Sequence, residues 1–226
     1  MRFEILRRSR ALIDRMLLAD RSYDFLFHPD DSGEVVSVDC ETSGFNILAD
    51  DIVSIAAIKI RGNQILTSET FRALVRPGAA MEVSAIKVHQ LREADVREAR
   101  TIREVMPEFL RFVGSRPLVG YWVSFDVRMI NKYLFGLLNI NLPNRQYDVS
   151  ELYYERKYGK APPGTEIDLR YAAIAADLGL TMLPQHDAFN DALVAAQMYV
   201  ILRDMQRRGV RIPRQRVAPR AGDFSV

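Results

Sequence analysis

The stretch EVVSVDCETSG, residues 34–44, decides how the rest of the chain is read. Its first six residues, EVVSVD, are β-rich and short enough for a strand, and Gly44 turns the chain away beyond it. Side chains at i and i+2 of a strand point to one face, so Asp39 and Glu41 project together at the strand's end. Like charges held that close destabilise each other unless a cation compensates them. Oxygen-only donors favour Mg²⁺ or Mn²⁺ over zinc. Taken alone, the pair is most simply two solvated acids on an exposed strand end.

Downstream, IVSIAAIKI (52–60), an RGN turn and ILTSETFRALV (65–75) follow. Three strands on short connections imply an antiparallel meander. Thr101 followed by Glu104 is a capping-box pattern starting a helix through Phe112, which Pro107 should bend or shorten. PLVGYW (117–122) reads as the next strand and runs into a helix carrying Phe125, Met129 and Tyr133. Asp126 falls in that helix's first turn, where the backbone dipole tolerates negative charge. Further helices are expected at 149–158, 167–178 and 188–208, the last with Phe189, Leu193, Ala196 and Val200 as its buried stripe and Asp191 off it. His186 precedes that helix. Individually, Asp126 is most simply a helix-start acid and His186 a structural or surface histidine. The order of elements gives an α/β fold: a mixed sheet, meander plus parallel strands, with helices packed on it.

With 226 residues, 48% of them apolar, the chain can fill one core of a domain of roughly 100–200 residues with extensions. Residues 1–33 read as an N-terminal helical extension, with Ile5, Leu12, Ile13, Met16 and Leu17 on one face, ending in the turn-rich HPDDSGE (28–34). Residues 34–208 are the main domain, and 209–226 a basic tail of low order. Residues 203–226 hold seven Arg against two Asp, so the net charge of +2 hides a mildly acidic body. No apolar run of about 18 residues exists to span a membrane. The single Cys40 makes neither an internal disulfide nor a cysteine zinc cluster, which fits a reducing compartment and leads us to expect a cytoplasmic protein. Kinase-like, serine-hydrolase and zinc-protease readings lack their G-x-x-x-x-G-K-[ST], G-x-S-x-G and H-E-x-x-H motifs.

DCETSG (39–44), SFD (124–126) and HDAFND (186–191) together resemble, in order, the three motifs of the DEDDh-type 3′→5′ exonucleases, the family that includes the epsilon subunits of bacterial replicative polymerases. DDIVSIAAIKI, FRALVRP, SAIKVHQL, EVMPEFLRFVG and DLRYAAIAADLGL extend the resemblance over roughly residues 34–205. It implies an RNase H-like fold, Asp39, Glu41, Asp126 and Asp191 as ligands of two divalent cations, Mg²⁺ or Mn²⁺, and His186 as general base. Paired cations about 3.5–4 Å apart support both the attacking and the departing oxygen of an in-line phosphoryl displacement. An imidazole, with its ordinary pKa near neutrality, suits the water's proton. The products implied are nucleoside 5′-monophosphates.

The second motif departs from the family's H-N-x-x-F-D, since the matching stretch GYWVSFD (120–126) holds neither the His nor the Asn. Thr42 and Ser43 match positions that approach the substrate's 3′ end, Tyr121 and Trp122 are candidates to stack on a base or to fill core, and Phe125 is both core and pocket wall. His89 reads as structural, Asp148 as a helix N-cap, and Asp187 as an accessory or solvated acid. The expected partner is a nucleic-acid 3′ end, single-stranded DNA foremost, with no membrane. Faint similarity of DFLF (24–27) to a sliding-clamp peptide keeps clamp or polymerase association open. With no long C-terminal extension, a free-standing enzyme is favoured. Two other readings stand beside this one: an RNA or oligoribonucleotide 3′→5′ exonuclease, and a non-catalytic polymerase- or nucleic-acid-binding module with a vestigial site.

Overall fold

A computed structural model describes residues 2–214, with side chains from residue 10 onward. The meander forms as the spacing predicts: β1 (Glu34–Thr42) pairs antiparallel with β2 (Ile52–Arg61), and β2 with β3 (Gln64–Arg76). The two-residue β4 (Arg100–Thr101) runs parallel to β3; on the other side of β1, β5 (Leu118–Gly120) and then β6 (Gln146–Asp148) continue in parallel. The sheet order is therefore β4-β3-β2-β1-β5-β6, with β1 in the interior, and two short helices, α2 (Val83–His89) and α3 (Glu93–Val96), link β3 to β4.

Alternation along β1 divides the molecule. Val36, Val38 and Cys40 join the core beneath α4 (Ile102–Val113) and α5 (Val123–Leu138), where Phe109, Leu110, Met129 and Ile130 are buried. Ser37, Asp39 and Glu41 take the opposite face, covered by α8 (Ala188–Arg207), and the Ser37 hydroxyl donates to the Ala192 carbonyl at 2.7 Å. On that side Val194, Met198 and Leu202 pack with Ile60 and Tyr153 of α6 (Val149–Lys157) and Ile174 of α7 (Tyr171–Asp177).

Three local expectations are corrected. In α8 the predicted stripe holds at Ala196, which is fully buried, but Phe189, Leu193 and Val200 are only half-buried, and burial follows instead the line through Ala188, Ala192, Ala195, Tyr199 and Leu202. Small residues let α8 lie close on β1, whereas a search weighted to large apolar side chains finds the neighbouring line. Pro107 does not shorten α4, which continues to Val113 with Glu104 reaching back to the Thr101 amide at 2.7 Å. The expected helix at 167–178 begins only at Tyr171, because the Asp168 carboxylate takes the Arg170 amide at 3.0 Å and forms a turn there.

At the N-terminus, α1 (Arg2–Leu17) leads into a 3-10 turn, Arg21–Phe27. That turn absorbs the clamp-like DFLF: Leu26 is buried, and Phe25 and Phe27 pack against the core, so this segment is not free to enter a partner's groove. Residues 209–214 fold back on the domain, with Ile212 buried and its amide on the Arg156 carbonyl at 3.3 Å; the rest of the tail lies outside the described residues. Among the described residues no helix is long and apolar enough to cross a membrane.

Candidate active site

Three elements meet at the C-terminal end of β1. Asp39 and Glu41 come from its α8-facing side, and Asp191 from the first turn of α8. Carboxylate oxygens of these three lie within 4.8 Å of one another. Asp126, in the first turn of α5, is buried beside them; its Oδ1 accepts the Cys40 amide at 3.0 Å, which anchors α5 to the strand end. Gly120 makes that junction possible, since a Cβ there would fall 2.9 Å from the Val38 carbonyl and 3.0 Å from Val123. The glycine at this position thus has a packing reason.

The electrostatics are those of crowded, partly dehydrated acids. Burial, and then the charges of Asp126, Glu41, Asp191 and Asp187, push Asp39 well above the usual carboxylate range. Burial and then Asp191 and Asp187 push Glu41 up to about 7. Burial raises Asp126, against the pull of the Cys40 amide. Burial also raises Asp191, eased by the His186 amide and imidazole. Among the described residues no Lys or Arg neutralises this set. An oxygen-only donor cluster with uncompensated charge fits a divalent cation.

His186 stands at the mouth in the left-handed region, φ 63°, and its amide donates to Asp191 Oδ2 at 2.7 Å. Asp187 caps α8 by accepting the Asn190 amide at 2.9 Å, and Asp148 caps α6 through the Ser150 amide at 2.9 Å. His89 is buried, with Nδ1 accepting the Leu91 amide at 3.0 Å.

A cleft of about 450 Å³ opens over the acids, lined also by Thr42, Phe45, Trp122, Phe125 and Tyr171. Trp122 is 61% exposed at φ 53°, and Phe45, which sequence reasoning missed, is 76% exposed and packs on Phe125 at 6.1 Å between ring centroids. Tyr121 is a wall, not a free stacking surface: its ring lies between Trp122 and Tyr171, and its hydroxyl donates to the Leu169 carbonyl at 3.0 Å. Ser43 departs from expectation outright. It is fully buried, its hydroxyl donates to Asp50 Oδ1 at 3.1 Å and accepts the Asp51 amide at 2.9 Å, and it is absent from the cleft wall. The pairing of β1 with β2 shifts register between Glu41 and Thr42, just before Ser43 turns inward onto Asp50 and Asp51. Gly44 follows because a Cβ there would collide with the Asp50 carboxylate at 2.5 Å.

A mixed sheet whose central strand ends in clustered acids under a covering helix is the architecture of RNase H-like exonucleases. The chain belongs to the exonuclease family, whose RNase T-type profile matches residues 36–199. It is therefore an exonuclease, and the 3′→5′ enzyme class implied by the sequence motifs agrees with this membership. Over 170 residues it is 29% identical to the DNA polymerase III epsilon subunit of Aquifex aeolicus, covering 74% of this chain and 79% of the relative. It is likewise 29% identical over 180 residues to a PolC-type DNA polymerase III of Caldanaerobacter subterraneus, spanning 79% of this chain but only 12% of that protein. Among solved structures, exonuclease X in complex with 5′-overhanging duplex DNA superposes with a TM-score of 0.59 at 23% identity, over 79% of this chain and 95% of that one. At that identity the match concerns the fold.

Proposed function

We propose that this chain removes nucleoside 5′-monophosphates stepwise from the 3′ ends of single-stranded DNA, with Asp39, Glu41, Asp126 and Asp191 holding two divalent cations and His186 as general base. The observation that carries the reading is the convergence of Asp39, Glu41 and Asp191 within 4.8 Å, beside buried Asp126, with no Lys or Arg among the described residues to balance them. Bound there, Mg²⁺ or Mn²⁺ supplies Lewis acidity to the phosphoryl oxygens and to the water. The chain's own residues do the rest. Asp39 and Glu41 stand on the rigid strand and Asp191 on the helix, so the donor oxygens are preorganised. The His186 ring, at the solvent end of the cleft, takes the water's proton on an imidazole nitrogen and passes it to bulk solvent. Trp122, Phe45 and Phe125 offer apolar faces to the terminal base and shield the reacting end from water. DNA as substrate is supported by relatives named as DNA polymerase III subunits and by the DNA complex of exonuclease X.

The test is a 5′-labelled oligonucleotide, as DNA and as matched RNA, incubated with and without Mg²⁺ or Mn²⁺. Single-nucleotide shortening of DNA that needs the cation is expected, lost in Asp39→Ala and slowed about 10²- to 10⁴-fold in His186→Ala. Full activity in Asp39→Ala refutes the assignment, and preference for the RNA strand moves the substrate class.

A further inference from the structure

Two successive carbonyls in the first turns of α8 accept side-chain hydrogen bonds from different elements. The Ala192 carbonyl takes the Ser37 hydroxyl of β1 at 2.7 Å, and the Asp191 carbonyl takes the Tyr171 hydroxyl of α7 at 2.9 Å. Helix carbonyls here already have backbone amides as partners four residues on, so neither bond is needed to satisfy α8. Each instead fixes where that turn lies and how it is rotated. Ser37 is two residues before Asp39 on the same face of β1, so its bond ties the helix to the strand bearing two of the acids.

Tyr171 is itself held. Its ring meets Tyr121 edge-on at 5.0 Å, and the Tyr121 hydroxyl takes the carbonyl of Leu169, two residues before it. Tyr121 lies in the stretch 120–126, where this chain departs from the H-N-x-x-F-D of the resembling exonucleases, so its hold on Tyr171 belongs to that departure. Neither Ser37 nor Tyr171 supplies a carboxylate.

We propose that Ser37 and Tyr171 are positioning residues that pin the start of α8 from two sides and thereby set the distance of the Asp191 carboxylate from Asp39 and Glu41. The inference rests on the reading of these acids as a cation site. A helix turn released on one side can rock by a fraction of an ångström without unfolding, and a chelating cluster is sensitive to displacements of that size.

The experiment uses the full chain and Mn²⁺ itself as probe. Free Mn²⁺ is followed by electron paramagnetic resonance for the native protein, Ser37→Ala, Tyr171→Phe, the double variant, and Tyr153→Phe, which loses a phenol bond to Asp177 far from the acids. Ser37→Ala and Tyr171→Phe are each expected to weaken Mn²⁺ binding about threefold to tenfold, the worth of one hydrogen bond, with the double variant weaker than either. In the nuclease assay kcat should fall with KM for the oligonucleotide held within about twofold, because each variant removes only a hydroxyl bonded to α8 and leaves the Tyr171 ring in the cleft wall. Tyr153→Phe should leave Mn²⁺ affinity unchanged. Native-like Mn²⁺ affinity in both single variants, with only their melting temperatures lowered, overturns the proposal and leaves the cation site standing. A native protein that binds Mn²⁺ but degrades no nucleic acid refutes the functional reading, while the affinity ratios still decide the pins. A native protein that binds no Mn²⁺ refutes both.

Discussion

Stripped of cations, the acid cluster should make the folded protein less stable as pH rises from 5 to 8, and Glu41→Gln should remove a large share of that loss. Glu41 is nearly buried and its carboxyl is held at about 7 instead of 4.5, by burial first and by Asp191 and Asp187 next. A raised folded-state pKa means that the native chain holds this proton more tightly than the unfolded chain. The stabilisation is therefore complete below about 4.5 and is lost as pH climbs through about 7. That interval corresponds to roughly 3 kcal/mol as an upper figure for this one group. Asp39, Asp126 and Asp191 act in the same direction. His89 acts against them, since burial lowers its pKa and folding then gains stability as pH rises towards 6.5.

Because His89 is common to both proteins, the difference between native and Glu41→Gln in chelator is the quantity to measure, by thermal unfolding at pH 5 and pH 8. At pH 5, where most of the loss still lies ahead, the two should differ by less than about 1 kcal/mol. At pH 8 the variant should be the more stable by roughly 1–3 kcal/mol, an increase of several degrees in melting temperature for a chain of this size. Millimolar Mn²⁺ should then raise the native protein's melting temperature and move the variant's far less. A cation-free variant that melts at or below the native protein at pH 8 would refute the reasoning, as it would show that Glu41 is not under electrostatic strain.

Two further substitutions probe packing and substrate contact separately. Ala192→Leu places a branched side chain where a fully buried methyl faces β1; it should cost about 1–3 kcal/mol in urea unfolding and also depress exonuclease activity by displacing Asp191. Retained activity would show that the height of α8 over the sheet is not critical. Trp122→Ala removes an exposed ring, so stability should change by less than about 0.5 kcal/mol while KM for an oligonucleotide rises about five- to a hundredfold, the worth of one base stack. An unchanged KM would take Trp122 out of the substrate path.

The meander, and the shared face of Asp39 and Glu41, were legible because strand alternation is local and β1 keeps it as far as Glu41. One residue later the register shifts, and beyond it Thr42 lines the cleft while Ser43 is buried against Asp50 and Asp51. No composition or spacing announces such a bulge, since it depends on how β2 pairs across from it. The helix carrying Asp191 was likewise visible, but its phase was not, because burial there follows alanines that carry little periodic signal. Tyr171 and Ser37 lay beyond reach altogether: their partners are 20 and 155 residues away, and only the folded chain brings them together. The left-handed backbone of Trp122 and His186 belongs to the same class, for neither residue type advertises it.

The acids are preorganised only as far as the backbone that carries them is held in place. What fixes their geometry is the set of small residues at the closest approaches. Gly120 lets the β5–α5 junction come against the Val38 carbonyl, and this puts Asp126 on the Cys40 amide. Gly44 leaves room for the Asp50 carboxylate, which with Ser43 closes the turn behind Thr42. Ala192 brings α8 within reach of Ser37 and so carries Asp191 to the strand end. Each of these positions lies in or within six residues of a motif that supplies an acid, yet none has chemistry of its own. Enlarging one of them would keep every proposed ligand and still separate them, so loss of activity with all four carboxylates present is the signature this architecture predicts for damage to its frame.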